Sequence, residues 1–173
     1  MYVSSLADVD LDDLVSRGIK AIMLDLDNTI LPWKDRIAPV QSAEWVRNAL
    51  DLGIKLCIAS NTRNPGRLRA VAGELGIPCR DKLIKPRRKG LREVMESMGA
   101  TPETTAIIGD QILTDIIGGN RLSILTILVK PMHDKEFIGT KFSRLLEHRI
   151  MAWLSKKGML GTKVSNKASE IQE

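Results

Sequence analysis

The sequence predicts an α/β protein: a three-layer α/β/α sandwich around a mainly parallel central sheet. Three observations carry this. Short apolar runs at 19–25, 54–59, 105–108 and 123–129 alternate with segments at 40–52, 65–75 and 89–98 whose apolar residues recur at helical spacing. Strands that alternate with helices in this way build parallel βαβ units. The runs are nearly continuous in apolar residues, as in strands covered on both faces. Several of them break off into polar residues, as strands do where an open sheet meets its ligand.

The elements follow in order. Leu6, Val9, Leu11, Leu14 and Val15, mixed with acids, form a lead-in helix that Gly18 ends. The first strand, 19–25, runs into Asp25-Leu26-Asp27-Asn28-Thr29. Pro32 and Pro39 bracket a loop. Val40, Ala43, Trp45, Val46, Ala49 and Leu50 mark a helix that stops at Gly53. The second strand, 54–59, ends in Ser60-Asn61-Thr62, and Pro65 opens the helix 65–75. A short strand lies within 77–84, followed by Lys85-Pro86-Arg87-Arg88-Lys89 and a helix over 89–98. The strand 105–108 leads into Gly109-Asp110, then a short helix over 111–118 and a last strand over 123–129. Residues 138–157 form a basic amphipathic helix, with Ile138, Phe142, Leu145, Leu146, Ile150, Trp153 and Leu154 on one face. That face packs on the sheet or lies on an anionic membrane surface. The polar residues 158–173 form a flexible tail.

With 173 residues, 43% hydrophobic and 27% charged, the chain fits a single soluble globular domain over 1–157 rather than a disordered one. The net charge of +5 suits an anionic partner: a phosphate ester, an acidic lipid or nucleic acid. Aromatics at 3% argue against stacking platforms for single-stranded nucleic acid. Cys57 and Cys79 form no CxxC pair, which excludes a zinc framework and points to a reduced, cytoplasmic setting. The first residues lack the basic start and apolar block of a signal peptide, and no apolar segment approaches a membrane span. Membrane contact is then peripheral, at the inner face.

Four polar signals follow strands: Asp25 with Asp27, Ser60 with Asn61, Lys85, and Gly109-Asp110 with Asp115. Strand ends of a parallel sheet face one way, so these groups converge on one rim. Asp25 and Asp27 admit a plain alternative as helix caps, and Asp115 as a support for the 109–110 loop. Together the set reads as phosphoryl transfer. Asp25 serves as nucleophile and forms an aspartyl phosphate. Asp27 protonates the leaving alcohol and then activates water. Mg²⁺ takes carboxylate oxygens, which Asp25 and Asp110 supply. Thr29 adds a hydroxyl at the mouth of the site, Ser60 and Asn61 donate to phosphoryl oxygens, and Lys85 brings positive charge where negative charge accumulates.

At these residues the sequence resembles the haloacid dehalogenase-type phosphatases. Its DxDxT is Asp25-Leu26-Asp27-Asn28-Thr29, its second motif Ser60, its third Lys85 before Pro86, and its fourth GDxxxxD at 109–115. The resemblance spans roughly 19–130. It implies a Rossmann-like core, Asp25 as nucleophile and Asp27 as acid/base. It also implies Mg²⁺ held by Asp25, the main-chain carbonyl of Asp27 and Asp110, with Asp115 an accessory acid beside the metal. Members with cap domains insert them at positions where this chain has room for a loop and one helix, or for a helix and a short strand. That implies a capless member with an open site.

The wording Leu24-Asp25-Leu26-Asp27-Asn28-Thr29-Ile30-Leu31, with Ser60-Asn61-Thr62, Lys85-Pro86 and Gly109-Asp110-Gln111-Ile112-Leu113-Thr114-Asp115, is similar to the YqeG-like branch of subfamily IIIA. That branch includes phosphatidylglycerophosphate phosphatases. It implies an anionic phospholipid substrate and a place in phospholipid biosynthesis. The basic run 85–89, the 138–157 helix and Arg63 are compatible with such a partner. The alternatives are a phosphatase of a soluble phosphometabolite or of another large substrate, and a receiver-like module that stores phosphate. Asp27 argues against the storage module, because a phosphate-storing switch needs no acid/base. Cys57 and Arg63 satisfy the C-x5-R spacing of thiolate phosphatases. That reading buries the nucleophile in a strand, lacks a glycine in the loop and leaves the three aspartates unused.

Overall fold

The structure is a computed structural model that describes residues 1–132. The expected helix at 138–157 and tail at 158–173 lie outside the described residues.

Six parallel strands form one sheet: β1 (Tyr2–Val3), β2 (Ala21–Leu24), β3 (Lys55–Ala59), β4 (Cys79–Arg80), β5 (Thr105–Gly109) and β6 (Leu125–Val129). Their order across the sheet is β1-β6-β5-β2-β3-β4. The helices are α1 (Leu11–Ser16), α2 (Val40–Asp51), α3 (Pro65–Leu75), α4 (Arg88–Ser97) and α5 (Ile117–Asn120). The three-layer parallel sandwich expected from the alternating pattern is what the chain forms.

The period-2 geometry of the strands creates the layers. On β2, Ile22 and Leu24 face one core with Trp45, Val46 and Ala49 of α2 and Leu68 and Val71 of α3. Ala21 and Met23 face the other, with Leu91, Val94 and Met95 of α4. All four β2 residues are buried, which is why the strand reads as an unbroken apolar run.

The chain leaves β2 outward through β3 and β4, then crosses to β5 on the other side of β2. The direction of winding therefore reverses between β2 and β5, and that switch point is where open α/β sheets bind ligands. Only the loop 25–39 joins β2 to α2, and only α3 with short connections joins β3 to β4.

Several boundaries differ from the sequence expectation. The two-residue β1 is too short to leave a periodic signal, and it pairs with β6 at the sheet edge. The lead-in helix is two pieces, a 3-10 turn at Leu6–Asp8 and α1, where Asp10 caps the latter by accepting from the Asp13 amide at 3.0 Å. The helix expected over 111–118 is instead a wide π turn at Ile112–Ile116 followed by α5.

Candidate active site

Asp25 is the first residue past β2, and its amide still donates to the Ile108 carbonyl at 2.9 Å. The carboxylate is thereby held beside β5, at the switch point. No helix begins after it until Val40, so Asp25 and Asp27 cap nothing. The chain instead turns tightly. Asn28 takes φ of +60°, a left-handed conformation that asparagine tolerates better than most residues. Its amide donates to the Leu31 carbonyl at 2.8 Å, and its side-chain oxygen accepts from the Trp33 amide at 3.2 Å. Thr29 is fully buried in this turn, and its hydroxyl has no hydrogen-bond partner among the described residues.

Lys85 lies at the centre of the site. Its ammonium donates to Asp25 Oδ1 at 2.6 Å, Asp115 Oδ1 at 2.6 Å and the Ala59 carbonyl at 2.8 Å, which engages all three protons. Burial favours the neutral amine, but the Asp115 and Asp25 carboxylates outweigh it and hold the lysine pKa well above its ordinary value. The expected basic run 85–89 is thus split: Lys85 is buried in the site, while Arg87, Arg88 and Lys89 are exposed. Asn61 fixes the Lys85 backbone from both sides, its oxygen accepting from the Lys85 amide at 2.9 Å and its amide donating to the Lys85 carbonyl at 3.1 Å. Both polar atoms of the Asn61 side chain are engaged there. Before Lys85, Ile84 sits at φ +54°, a strained conformation for a β-branched residue.

Asp115 reaches the site because the π turn carries it back beneath the loop. Its Oδ2 accepts from the Gln111 amide at 3.2 Å while Oδ1 holds Lys85. Gly109 makes room for it: a Cβ there would overlap the Asp115 carboxylate. Burial pushes the Asp115 carboxyl up to about 6, with Lys85 opposing and Asp25 adding to the rise.

Carboxylate oxygens of Asp25, Asp110 and Asp115 lie within 4.8 Å of one another, all buried. Asp25 and Asp115 share the single Lys85 ammonium, which leaves a deficit of positive charge in a buried space, an arrangement that is costly without a further cation. Oxygen donors with that deficit suit a hard divalent ion such as Mg²⁺.

Asp27 stands apart from this cluster, its Oδ1 paired with Arg67 Nη1 at 2.6 Å. Burial raises the Asp27 carboxyl above its ordinary pKa, against the pull of Arg67, and Asp25 adds to the rise. Ser60, the first residue past β3, is buried, and its hydroxyl accepts from the Thr62 amide at 3.1 Å. Arg63 is exposed on the same rim. The structure thus gathers Asp25, Lys85, Asp110 and Asp115, with Ser60 and Asn61 on the adjoining loop.

Sequence reasoning missed Arg67. Its one local signal is a place in the first turn of α3, where its amide is capped by Asn64 at 3.0 Å. Nothing local points to Asp27, forty positions earlier.

Cys57 lies within β3, buried in the core against α4, and burial pushes its thiol up to about 11. A thiol so placed is neither ionised at neutral pH nor at the rim, which removes the C-x5-R reading.

Residues 83–131 match the HAD-hydrolase-like family model. A Bacillus subtilis protein described as "Probable phosphatase YqeG" is 36% identical over 157 residues, covering 91% of each chain. Phosphatidylglycerophosphate phosphatase 1 of Arabidopsis thaliana is 28% identical over 164 residues, 89% of this chain and 47% of that one. Among solved structures, a Haemophilus influenzae deoxy-D-mannose-octulosonate 8-phosphate phosphatase shares the fold with a TM-score of 0.51 at 20% identity. The match covers 84% of this chain and 95% of that one.

Proposed function

This chain belongs to the HAD-like phosphatases, and we propose that within that family it is a Mg²⁺-dependent phosphomonoesterase acting on phosphatidylglycerophosphate. The observation that carries the chemistry is the buried cluster of Asp25, Asp110 and Asp115 at the switch point, with Lys85 paired to Asp25 and Asp115.

Asp25 attacks phosphorus through the oxygen that Lys85 leaves free, and the ester P–O bond breaks as the aspartyl phosphate forms. Asp27 gives its proton to the departing alcohol. In the second step water attacks phosphorus, Asp27 takes a proton from it, and the Asp25–phosphate bond breaks. The raised Asp27 pKa favours a carboxyl that can carry this proton. Lys85 stabilises the charge that builds on the phosphoryl oxygens, with the Ser60 hydroxyl beside it. Asn61 serves by holding Lys85, and Thr29 and Asp115 by shaping the two loops. Asp25, the Asp27 carbonyl and Asp110 would hold Mg²⁺, which when bound offsets repulsion between carboxylate and phosphate.

Three observations support the lipid substrate. The Arabidopsis relative carries that activity in its name, as does a Chlamydomonas reinhardtii relative 30% identical over 157 residues, 85% of this chain and 58% of that one. The short connections at the rim suit a capless site that a large substrate can reach. Ile37 and Val40, 74% and 67% exposed, sit on the loop after β2 and the start of α2, and Ile84, 56% exposed, precedes Lys85. The exposed cations Lys34, Arg36, Lys82 and Arg87 accompany them, a mixture that suits a membrane surface rich in anionic lipid. Among the described residues no helix is long and apolar enough to cross a membrane.

The test is phosphate release from phosphatidylglycerophosphate in mixed micelles beside a soluble phosphomonoester, with Mg²⁺ and with chelator. Strong lipid turnover that is lost with chelator and in Asp25→Asn, but kept in Cys57→Ser, is expected. Turnover of the soluble ester alone would remove the lipid assignment and keep the chemistry. Full turnover in chelator would remove the metal.

A further inference from the structure

We infer that Arg67 is the positioning residue for Asp27, the group that sets its carboxylate for proton transfer to the leaving alcohol. The inference rests on the acid/base reading of Asp27.

The guanidinium reaches three acceptors in one fork. Nη1 donates to Asp27 Oδ1 at 2.6 Å, Nε to the Asp35 carbonyl at 2.6 Å, and Nη2 to the Pro32 carbonyl at 3.3 Å. The Arg67 side chain is 7% exposed and that of Asp27 23%, so the pair is shielded and yet open toward the rim. The Arg67 backbone is fixed by the Asn64 cap at the first turn of α3. Among the described residues, Arg67 is the only hydrogen-bond partner of the Asp27 side chain.

These contacts go beyond what a tie between α3 and the 32–35 loop requires, since two carbonyl acceptors would supply that. The third acceptor is the carboxylate two residues past the nucleophile. A carboxylate on a turn without this partner rotates about its own side-chain bonds, and proton transfer depends on its being within hydrogen-bond reach of the ester oxygen. With Oδ1 held by Arg67, Oδ2 is the atom that carries the proton. Oδ2–H protonates the ester oxygen as that oxygen leaves phosphorus, and Oδ2 receives a proton from water in the second step. The planar fork suits this task as a lysine would not, because only arginine can bond a carboxylate and two carbonyls with fixed directions.

Leaving-group dependence separates this role from a structural one. An alkyl phosphate needs a proton on its leaving oxygen, whereas 4-nitrophenyl phosphate expels a stable phenolate without one. The full chain with Mg²⁺ is assayed on sn-glycerol 3-phosphate and on 4-nitrophenyl phosphate, as wild type, Asp27→Asn and Arg67→Ala. Asp27→Asn should lose ~10²–10⁴-fold in kcat on the alkyl ester and far less on the aryl ester. Arg67→Ala should show the same pattern in smaller measure, its loss on the alkyl ester exceeding that on the aryl ester by about 10-fold or more. If Arg67→Ala does not fold, Arg67→Lys carries the test: it keeps the cation without the fork and should lose in the same direction. Equal losses on both esters in the Arg67 variants, beside a leaving-group-dependent Asp27→Asn, overturn the inference and leave the acid/base reading intact. Equal losses in Asp27→Asn as well remove that reading and the inference together.

Discussion

Replacing Lys85 with methionine keeps most of the side-chain volume and removes the buried ammonium that Asp25 and Asp115 share. In the wild type that ammonium makes two ion pairs of 2.6 Å with side chains 2%, 8% and 0% exposed. Exposed pairs contribute at most ~1 kcal/mol, but removing one partner from a buried pair costs ~3–5 kcal/mol, because the remaining charge is left without compensation. The same substitution orphans the Ala59 carbonyl, a further ~1–3 kcal/mol. Part of this is recovered as the carboxylates protonate, so a net loss of ~3–5 kcal/mol is expected. For a chain of this size each kcal/mol lowers Tm by ~2–4 °C, which places the variant roughly 6–20 °C below wild type. Thermal unfolding by circular dichroism at pH 7 reads this directly. Mg²⁺ should raise Tm of the variant more than that of the wild type, since the added ion meets a larger charge deficit. A Tm within about 2 °C of wild type would mean a surface-grade interaction, and the account of Lys85 as the centre of a buried charge cluster would be wrong.

Gly109→Ala should abolish most turnover and lower Tm, since its Cβ collides with the Asp115 carboxylate. Gly73→Ala, in the exposed interior of α3 with nothing within 4 Å of the new methyl, should instead stabilise by ~1 kcal/mol. Asn61→Ala frees the Lys85 backbone of two hydrogen bonds and should cost ~1–3 kcal/mol in urea unfolding, with kcat falling more than KM rises. Native Cys57 should resist iodoacetamide at pH 8, read by mass spectrometry, because its thiol ionises only near 11. The unfolded thiol ionises near 9.0, so the contribution of Cys57 to folding is complete below that pH and is lost as pH rises from 9.0 toward 11. Cys57→Ser should remove that part of the alkaline loss.

Much of this protein is legible as local pattern. The apolar runs that became β2, β3, β5 and β6 could be read because a strand covered on both faces is apolar at nearly every position, as β2 is throughout, and the helices because one face repeats every 3.6 residues. The polar residues that end those strands could be placed on one rim, since parallel strands share a direction. Tertiary structure decided the rest. The sheet order, with β5 beside β2, arises from packing between segments some eighty residues apart and creates the switch point. β1 exists only because β6 offers it an edge. The 85–89 stretch looks like one charged surface in sequence, yet Lys85 turns inward because Asp25 and Asp115 wait there, while its neighbours stay in water. Asn61 holds the lysine backbone, and Arg67 grips a carboxylate forty positions away. Periodicity and spacing report what a residue's neighbours in the chain require of it. The partner of a charged side chain is set by which strand ends the folded sheet brings within hydrogen-bond distance.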